Sequence, residues 1–230
     1  PEEETGRILT TPEHYAFIKI AEGCDNRCSY CIIPYLRGKF RSRQMDDVLY
    51  EARLLAASGV KEMIVVAQDT SRYGTDLPGN KRLLPELLRE MCKIEELKWV
   101  RVHYVDPDEI DDELIDTIAS EPKIVKYLDI PIQHCNDKVL KLMNRRGDYA
   151  YLCDMFAKLK ARIPGVVLRT SVITGLPGEG EEEFEELCLF LKEMQLERVG
   201  AFPFSPEEGT PAAEMDHVSF EVATQRAEMV

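Results

Sequence analysis

The sequence lacks long apolar segments, a signal peptide and an even set of cysteines. None of its hydrophobic runs approaches the roughly 18 residues that a transmembrane helix needs, and no basic and then apolar stretch opens the chain. Its cysteine count is 7, an odd number that is unlike the paired framework of a small secreted domain. These absences predict a soluble, cytoplasmic protein with reduced thiols and no membrane contact.

Basic residues are also scarce. The chain has 29 Lys and Arg against 42 Asp and Glu, which gives a net charge of -13. Non-specific binding to nucleic acids relies on basic side chains that displace counterions from phosphates, so we expect no direct nucleic-acid binding by this segment. The acidic surplus fits the attraction of a basic protein partner, and it fits plain solubility equally well.

Length and composition favour one large domain. The 230 residues are 44% hydrophobic, which is enough for a single sizeable core. Residues 1–13 are polar and are predicted to form a linker or tail, and residues 14–230 the domain itself. The final stretch, SFEVATQRAEMV, has the pattern of an amphipathic helix without a stop signal, so we expect the sequence to be a piece of a longer protein.

Short β-branched runs alternate with helix-period segments along the domain. Breakers bound each run, and the alternation predicts an α/β fold with a parallel sheet. Six strand–helix units are too few for a closed eightfold barrel, so we expect an open (βα)6 partial TIM-type barrel with outer helices. Its chemistry should collect at the C-terminal strand ends. The predicted strands span residues 15–21, 62–68, 99–105, 125–132, 166–174 and 198–204, and the predicted helices span 45–58, 82–93, 108–119, 149–162 and 180–195.

Three of the cysteines fall within the segment EGCDNRCSYCIIPYLRG, residues 22–38. Cys24, Cys28 and Cys31 would share one face of a helix, but the glycine, asparagine and proline around them favour a loop. An electron-carrier ferredoxin would need a fourth nearby cysteine. Two alternatives remain, an iron–sulfur cluster with one open iron and a zinc site completed from elsewhere. The candidates for a fourth zinc ligand are His14, His134 and Cys135.

The spacing Cys24-x3-Cys28-x2-Cys31, with an aromatic residue before the last cysteine, resembles the motif of radical S-adenosylmethionine (SAM) enzymes. From about residue 15 to the end, the chain is similar to the methylthiotransferases of that family. The segments QDTSRYG and YLDIPIQH resemble the RimO type more than the tRNA-modifying MiaB type, which stays the alternative. The similar segments are CIIPYLRGKFRSR (31–43), VVAQDTSRYG (65–74), YLDIPIQH (127–134), VLKLMNRRG (139–147), LRTSVITGLPGE (168–179) and RVGAFPFSPEEGT (198–210).

The resemblance implies cofactors and a reaction. Cys24, Cys28 and Cys31 would hold a 4Fe-4S cluster whose open iron binds SAM, and one electron would release a 5′-deoxyadenosyl radical that abstracts hydrogen. The RimO type methylthiolates an aspartate β-carbon on a small-subunit ribosomal protein, with an electron donor such as flavodoxin. A second 4Fe-4S cluster in an N-terminal domain and a C-terminal substrate-binding domain are expected outside this segment. Alone, the segment should cleave SAM without completing methylthiolation.

The same resemblance suggests residues that contact SAM. Tyr30 would contact the adenine, although a tyrosine there could also pack the loop onto the barrel. Gln68 and Asp69 follow the second strand and would receive the methionyl end, although Asp69 is also typical of a turn cap. Gln133 ends the fourth strand and is expected to face the ligand.

Three more candidates lie on the last two strands. Arg169 interrupts an apolar strand and needs a carboxylate, which either the ligand or Asp129 would supply. Gly175 opens the GLPGE turn, where a missing side chain permits close approach of adenosine or simply permits the turn. Phe204 would stack on the adenine or belong to the core. The scattered cysteines, predicted to be buried small hydrophobes, are Cys92, Cys135, Cys153 and Cys188.

Overall fold

A parallel sheet of six strands organises the chain in a computed structural model that describes residues 8–230. Two further strands, of two residues each, form a separate antiparallel pair. In chain order the strands are β1 (Tyr15–Lys19), β2 (Ala21–Glu22), β3 (Arg41–Ser42), β4 (Glu62–Val66), β5 (Trp99–Val102), β6 (Ile124–Asp129), β7 (Val167–Thr174) and β8 (Arg198–Pro203).

The large sheet has the order β1-β4-β5-β6-β7-β8, and each neighbouring pair is parallel. Within residues 8–230 the outer strands β1 and β8 do not pair with each other, so the barrel is open. Parallel neighbours need crossover connections, which the intervening helices supply. The predicted open (βα)6 partial TIM-type barrel is confirmed.

Eight α-helices accompany the strands in the described part of the chain. Asp111, Asn136, Asp148 and Ser219 each cap a helix, because each side chain accepts a hydrogen bond from the backbone amide three residues on. None of these helices is long and apolar enough to cross a membrane. They are α1 (Ile33–Arg37), α2 (Met45–Ala57), α3 (Leu84–Cys92), α4 (Asp112–Ser120), α5 (Asp137–Leu142), α6 (Tyr149–Arg162), α7 (Glu181–Met194) and α8 (Phe220–Met229).

The sheet buries one face under the helices and turns the other into the barrel interior. Along β7, Leu168, Thr170, Val172 and Thr174 have 0% exposure, and the residues between them are partly accessible. Because side chains alternate across a strand, the second set faces the concave side. There Arg169 lines a cavity together with residues of β5 and β6. The interior therefore presents both polar and apolar side chains to an open cavity.

The structure differs from the predicted elements mainly at their ends. The helix predicted over residues 108–119 begins at Asp112, because Pro107–Glu109 form a separate 3-10 turn. The strand predicted over residues 62–68 ends at Val66, and the following residues leave the sheet as a loop. The sequence did not predict helices α1 and α5 or the β2–β3 pair. The predicted linker lies partly outside the described residues, and residues 8–14 form no helix or strand.

The last helix, α8, packs against β7 and β8 where the sequence predicts an amphipathic helix. Its Arg226 is 5% exposed and donates from Nη1 to Oε1 of Glu179 at 2.7 Å. Glu179 is itself 4% exposed and accepts a hydrogen bond from the backbone amide of Gly175 at 2.8 Å. This buried ion pair ties the C-terminal helix to the turn that follows β7.

Candidate functional site

The three clustered cysteines lie on a loop that the β2–β3 pair closes at its base. The loop spans residues 23–40, and pairing of β2 with β3 brings its two ends together. Cys24, Cys28 and Cys31 are each partly buried, and all three line one cavity of about 240 Å³ at the C-terminal ends of the strands. The structure thus brings the predicted cluster ligands to one place. Other residues of the wall are Tyr30, Gln68, Tyr104, Asp106 and Arg145.

The start of the loop is fixed to the residue that follows β4. Gln68 accepts a hydrogen bond at Oε1 from the Gly23 amide at 3.0 Å and donates from Nε2 to Glu22 at 3.1 Å. Gly23 has a φ of +81°, and a Cβ there would overlap the carbonyl oxygen of Lys39, so the turn requires glycine. Gln68 therefore holds the loop and faces the cavity at the same time.

Asp69 lies buried beneath the loop. It has 0% exposure, and its carboxylate accepts hydrogen bonds from Ser71 Oγ at 2.5 Å and from Asn26 Nδ2 at 3.0 Å. Burial raises the pKa of this carboxyl above its usual range. Each oxygen accepts a hydrogen bond within the protein, so the geometry supports a positioning role for Asp69, and its contact with the methionyl end of SAM stays a prediction.

The middle of the loop is fixed to the segment at the end of α5. Ser29 donates from its amide to the carbonyl of Met143 at 3.0 Å and from its hydroxyl to the carbonyl of Leu142 at 2.9 Å. Asn144 donates from Nδ2 to the carbonyl of Arg27 at 3.0 Å. Contacts from the segment after β4 and from the end of α5 therefore fix the positions of the cysteines.

A buried arginine that sequence reasoning missed forms part of the same wall. The Arg145 side chain is 6% exposed and pairs with Asp106, with 3.2 Å between Nη1 and Oδ2. The pKa of Arg145 is raised even though burial alone would lower it, because Tyr30, Asp106 and Cys28 favour its charged form. Arg145 lies within the segment VLKLMNRRG, whose polar pattern gives no sign that one of its two arginines is buried.

Burial favours the protonated form of two thiols of the cysteine loop, those of Cys24 and Cys31. It raises the pKa of Cys24 to about 11 and raises the pKa of Cys31 as well. A thiol must lose its proton to bind a metal, so binding must release protons and neutralise the resulting thiolates. Soft thiolates around one cavity suit iron–sulfur chemistry, which supplies that neutralising charge.

The alternative of a zinc site lacks a compact ligand set. Within the part of the chain that the structure describes, no three His, Cys, Asp or Glu side chains converge closely enough to hold a single ion. In a cluster each iron takes one thiolate, so the three sulfurs can stand further apart. His134 is bonded to Glu179 at 3.2 Å, Cys135 is buried in the main core, and His14 precedes β1 at the opposite end of the sheet. The residues present fit a cluster better than zinc.

Arg169 lies on β7 and faces the barrel interior. Gln133 lies in the segment that follows β6. Arg169 donates from Nη1 to Asp129 at 2.5 Å and to Ser171 at 3.2 Å. Of the two predicted carboxylate partners, Asp129 and the ligand, the structure therefore supplies Asp129. Gln133 is 8% exposed and has a φ of +69°. Its backbone bonds to β7 at both its amide and its carbonyl.

Gly175, Phe204 and Tyr30 make contacts inside the protein. A Cβ on Gly175 would lie 2.5 Å from the Cβ of Ala223, so the missing side chain admits helix α8. Phe204 is 4% exposed in a small apolar cluster with Leu176, and Tyr30 packs against that cluster. For Phe204 the geometry favours the core alternative. Tyr30 both packs the loop and lines the cavity.

The scattered cysteines do not join the site. Cys135 has 0% exposure in the main core, and Cys92 and Cys153 pack against that core. The prediction that all four are buried is therefore correct for Cys135, whereas Cys92, Cys153 and Cys188 are only partly buried. Burial raises the pKa of all four thiols, which disfavours the reactive thiolate.

Comparison with known protein families gives one match over most of the chain. The model of the Radical SAM superfamily matches residues 18–191. Two solved structures share the fold at low sequence identity. The radical SAM methyltransferase TsrM from Kitasatospora setae superposes with a TM-score of 0.70 at 18% identity, over 86% of this chain and 38% of its own. Coproporphyrinogen III oxidase (HemN) from Escherichia coli gives 0.67 at 17% identity, over 94% and 51%.

Curated relatives are much more similar in sequence. The ribosomal protein uS12 methylthiotransferase RimO of Anaeromyxobacter sp. (strain Fw109-5) is 54% identical over 92% of this chain and 45% of its own length. The RimO of Caldanaerobacter subterraneus subsp. tengcongensis is 56% identical over 89% of this chain and 46% of its own. The chain therefore spans about half the length of the curated relatives that it matches.

Proposed function

Because the chain belongs to the radical SAM superfamily, we propose that it is the central radical domain of a methylthiotransferase that acts on ribosomal protein uS12. The observation that carries this proposal is the single cavity lined by Cys24, Cys28 and Cys31. Identities of 54% and 56% to RimO enzymes support the choice of reaction within the superfamily. The group modified would be the β-carbon of an aspartate.

Cys24, Cys28 and Cys31 are the proposed ligands of a 4Fe-4S cluster that leaves one iron for SAM. When bound, the cluster and SAM supply radical abstraction of hydrogen. The chain's own contribution is to orient the three thiols and to exclude water from them. Contacts of Gly23 with Gln68 and of Ser29 with the end of α5 support that orienting role, since they fix the loop on both sides of the cysteines.

We assign the methionyl end of SAM to Gln68, which lines the cavity and whose second Nε2 hydrogen has no acceptor among residues 8–230. Tyr30 is assigned to the adenine side of the cavity, with Phe204 supporting it from behind. Gln133 is proposed to face the ligand from the end of β6. Asp69 is proposed as a positioning residue beneath the loop, because both its oxygens are engaged.

The partners follow from the proposed reaction. The acceptor would be uS12 in the cytoplasm, and the electron donor a small one-electron carrier such as flavodoxin. A second 4Fe-4S cluster and the substrate-binding surface are assigned to parts of the full-length protein outside this sequence. The net charge of -13 supports a protein acceptor over tRNA, because phosphates repel an acidic surface.

The cluster assignment is tested by anaerobic reconstitution with iron and sulfide. We expect about four irons per chain and an absorption spectrum that changes when SAM is added. Alanine at Cys24, Cys28 or Cys31 should abolish iron retention and formation of 5′-deoxyadenosine. Cys153→Ala is the matched control and should retain both. Zinc at one equivalent without iron, or equal losses in the control, would overturn the assignment.

The acceptor is tested in the full-length enzyme. Purified uS12 and tRNA are each incubated with the reduced enzyme and SAM, and the products are analysed by mass spectrometry. We expect an added methylthio group on an aspartate of uS12 and none on tRNA. Modification of tRNA alone would replace the proposed acceptor by that of the MiaB type.

A further inference from the structure

A buried arginine, Arg145, lies against Cys28 in the wall of the cysteine cavity. Its side chain is 6% exposed, and its Nη1 lies 3.8 Å from the Sγ of Cys28, within range of a hydrogen bond to sulfur. The two residues are 117 positions apart in the sequence. The fold brings this cation to one thiol of the proposed cluster site.

Two of the three nitrogens of the guanidinium hold it to the barrel. Nη1 donates to Asp106 and Nη2 donates to the carbonyl of Pro131, each at 3.2 Å. Nε is buried and has no hydrogen-bond partner within residues 8–230. Nη1 carries two hydrogens, so it can donate to Asp106 and to the Cys28 sulfur at the same time. The contact with sulfur therefore needs no rearrangement of the ion pair.

A chain of buried polar groups fixes the guanidinium in place. Asp106 is 6% exposed, and its amide donates to Ser71 Oγ at 3.1 Å. Ser71 in turn donates to Asp69 at 2.5 Å, and Asp69 also holds the cysteine loop through Asn26. The elements that orient the loop therefore orient Arg145 as well, so the Arg145–Cys28 distance is set by the barrel.

We propose that Arg145 is a positioning residue for the cluster, one that donates an N–H to the Cys28 thiolate and raises the reduction potential of the cluster. This inference rests on the proposed function. Reduction adds an electron to a group that already carries the negative charge of its thiolates. A buried cation and a hydrogen bond to a ligand sulfur stabilise the reduced form more than the oxidised form, and the low dielectric of the interior strengthens both effects.

The test measures the midpoint potential of the reconstituted 230-residue chain, titrated with dithionite and followed by electron paramagnetic resonance. Arg145→Gln should shift the potential to a lower value. Arg145→Lys should give a smaller shift, because it keeps the charge and loses the planar fork of donors. The matched control is Arg146→Gln, which should leave the potential unchanged because the Arg146 side chain is 79% exposed.

A double variant guards against misfolding. Arg145→Gln leaves Asp106 buried without its cation, and Arg145→Gln/Asp106→Asn removes both charges together. Its potential should still lie below that of the wild type, because the donor to sulfur is lost while the net charge of the pair is unchanged. An unchanged midpoint potential in Arg145→Gln and in the double variant, with iron content equal to the wild type, would overturn the inference.

Other outcomes separate the inference from the function on which it rests. Loss of iron from every Arg145 variant, with wild-type circular dichroism, would assign Arg145 to cluster retention alone and also overturn the inference. Absence of iron from the wild-type chain would instead refute the proposed function. A shifted potential in Arg146→Gln equal to that in Arg145→Gln would show a general charge effect and would contradict the proposed contact.

Discussion

Replacing Gly175 by alanine tests how the end of β7 is packed. Gly175 has a φ of +78°, and an added Cβ would lie 2.5 Å from the Cβ of Ala223 in α8. Left-handed backbone costs an L-residue about 1–2 kcal/mol, and forcing a methyl group into a packed site costs about 1–3 kcal/mol more. We therefore expect Gly175→Ala to lower the free energy of unfolding by about 2–5 kcal/mol, the sum of these two costs.

Gly165 provides a matched control for the backbone cost. Its φ is +75°, and a Cβ there would meet nothing within 4 Å, so Gly165→Ala should cost only about 1–2 kcal/mol. The difference between the two variants, about 1–3 kcal/mol, isolates the contact with α8. Both values come from urea unfolding of the metal-free chain, monitored by circular dichroism and extrapolated linearly to water.

An equal decrease in the free energy of unfolding in Gly175→Ala and Gly165→Ala would refute this account of Gly175. Ala223→Gly added to Gly175→Ala should recover part of the loss, because it removes the nearest atom. If Gly175→Ala weakened SAM binding and left the free energy of unfolding at the control value, the glycine would serve the ligand, as the resemblance to radical SAM enzymes implied.

Three further substitutions, one of them a control, probe the acidic residues near this turn. Glu179→Gln should lower the free energy of unfolding by about 3 kcal/mol, because it leaves the buried Arg226 short of its counterion. Glu181→Gln, the control, removes a partner of Arg226 that is 82% exposed and should cost under about 1 kcal/mol in the same urea assay. Glu183→Gln should cost about 0.5–1 kcal/mol at pH 7, because it removes the carboxylate that accepts a hydrogen bond from the Gly180 amide and pairs with Lys138. Lys138 lowers the pKa of Glu183 from 4.5 to about 2. This carboxylate therefore stabilises the fold above pH 4.5, and the gap between wild type and variant should close as the pH falls from 4.5 towards 2; a gap that widened there would contradict the assignment.

The barrel could be predicted from the sequence because its signals are local. Each strand of the sheet is a β-branched run bounded by breakers, and α6 shows the helical period over its whole length. The β2–β3 pair was missed because strands of two residues carry no periodic signal. Helices α1 and α5, with 5 and 6 residues, are too short for the same reason. These short elements nevertheless border the cysteine loop.

The three cysteines could be found from their spacing alone, but the roles of their neighbours could not. Their positions at strand ends make Gly175 and Phe204 candidates for ligand contact. The structure shows instead that Gly175 lies against α8 and that Phe204 belongs to the small apolar cluster. Arg169 finds its partner on the adjacent strand. Arg145 carries no local sign of burial. Each of these depends on contacts between residues distant in sequence.

The same long-range contacts couple the cysteine loop to the barrel. Gly23 bonds to a side chain 45 residues away, Asn26 to one 43 residues away and Ser29 to a carbonyl 113 residues away. None of these bonds can form before the ends of β4 and α5 are in place, so the loop takes the described conformation only in the folded chain. A cluster that binds this conformation more tightly than the unfolded segment stabilises the native state by mass action. Removing the iron should therefore lower the stability of the loop, along with that of the strand ends that we propose to contact SAM.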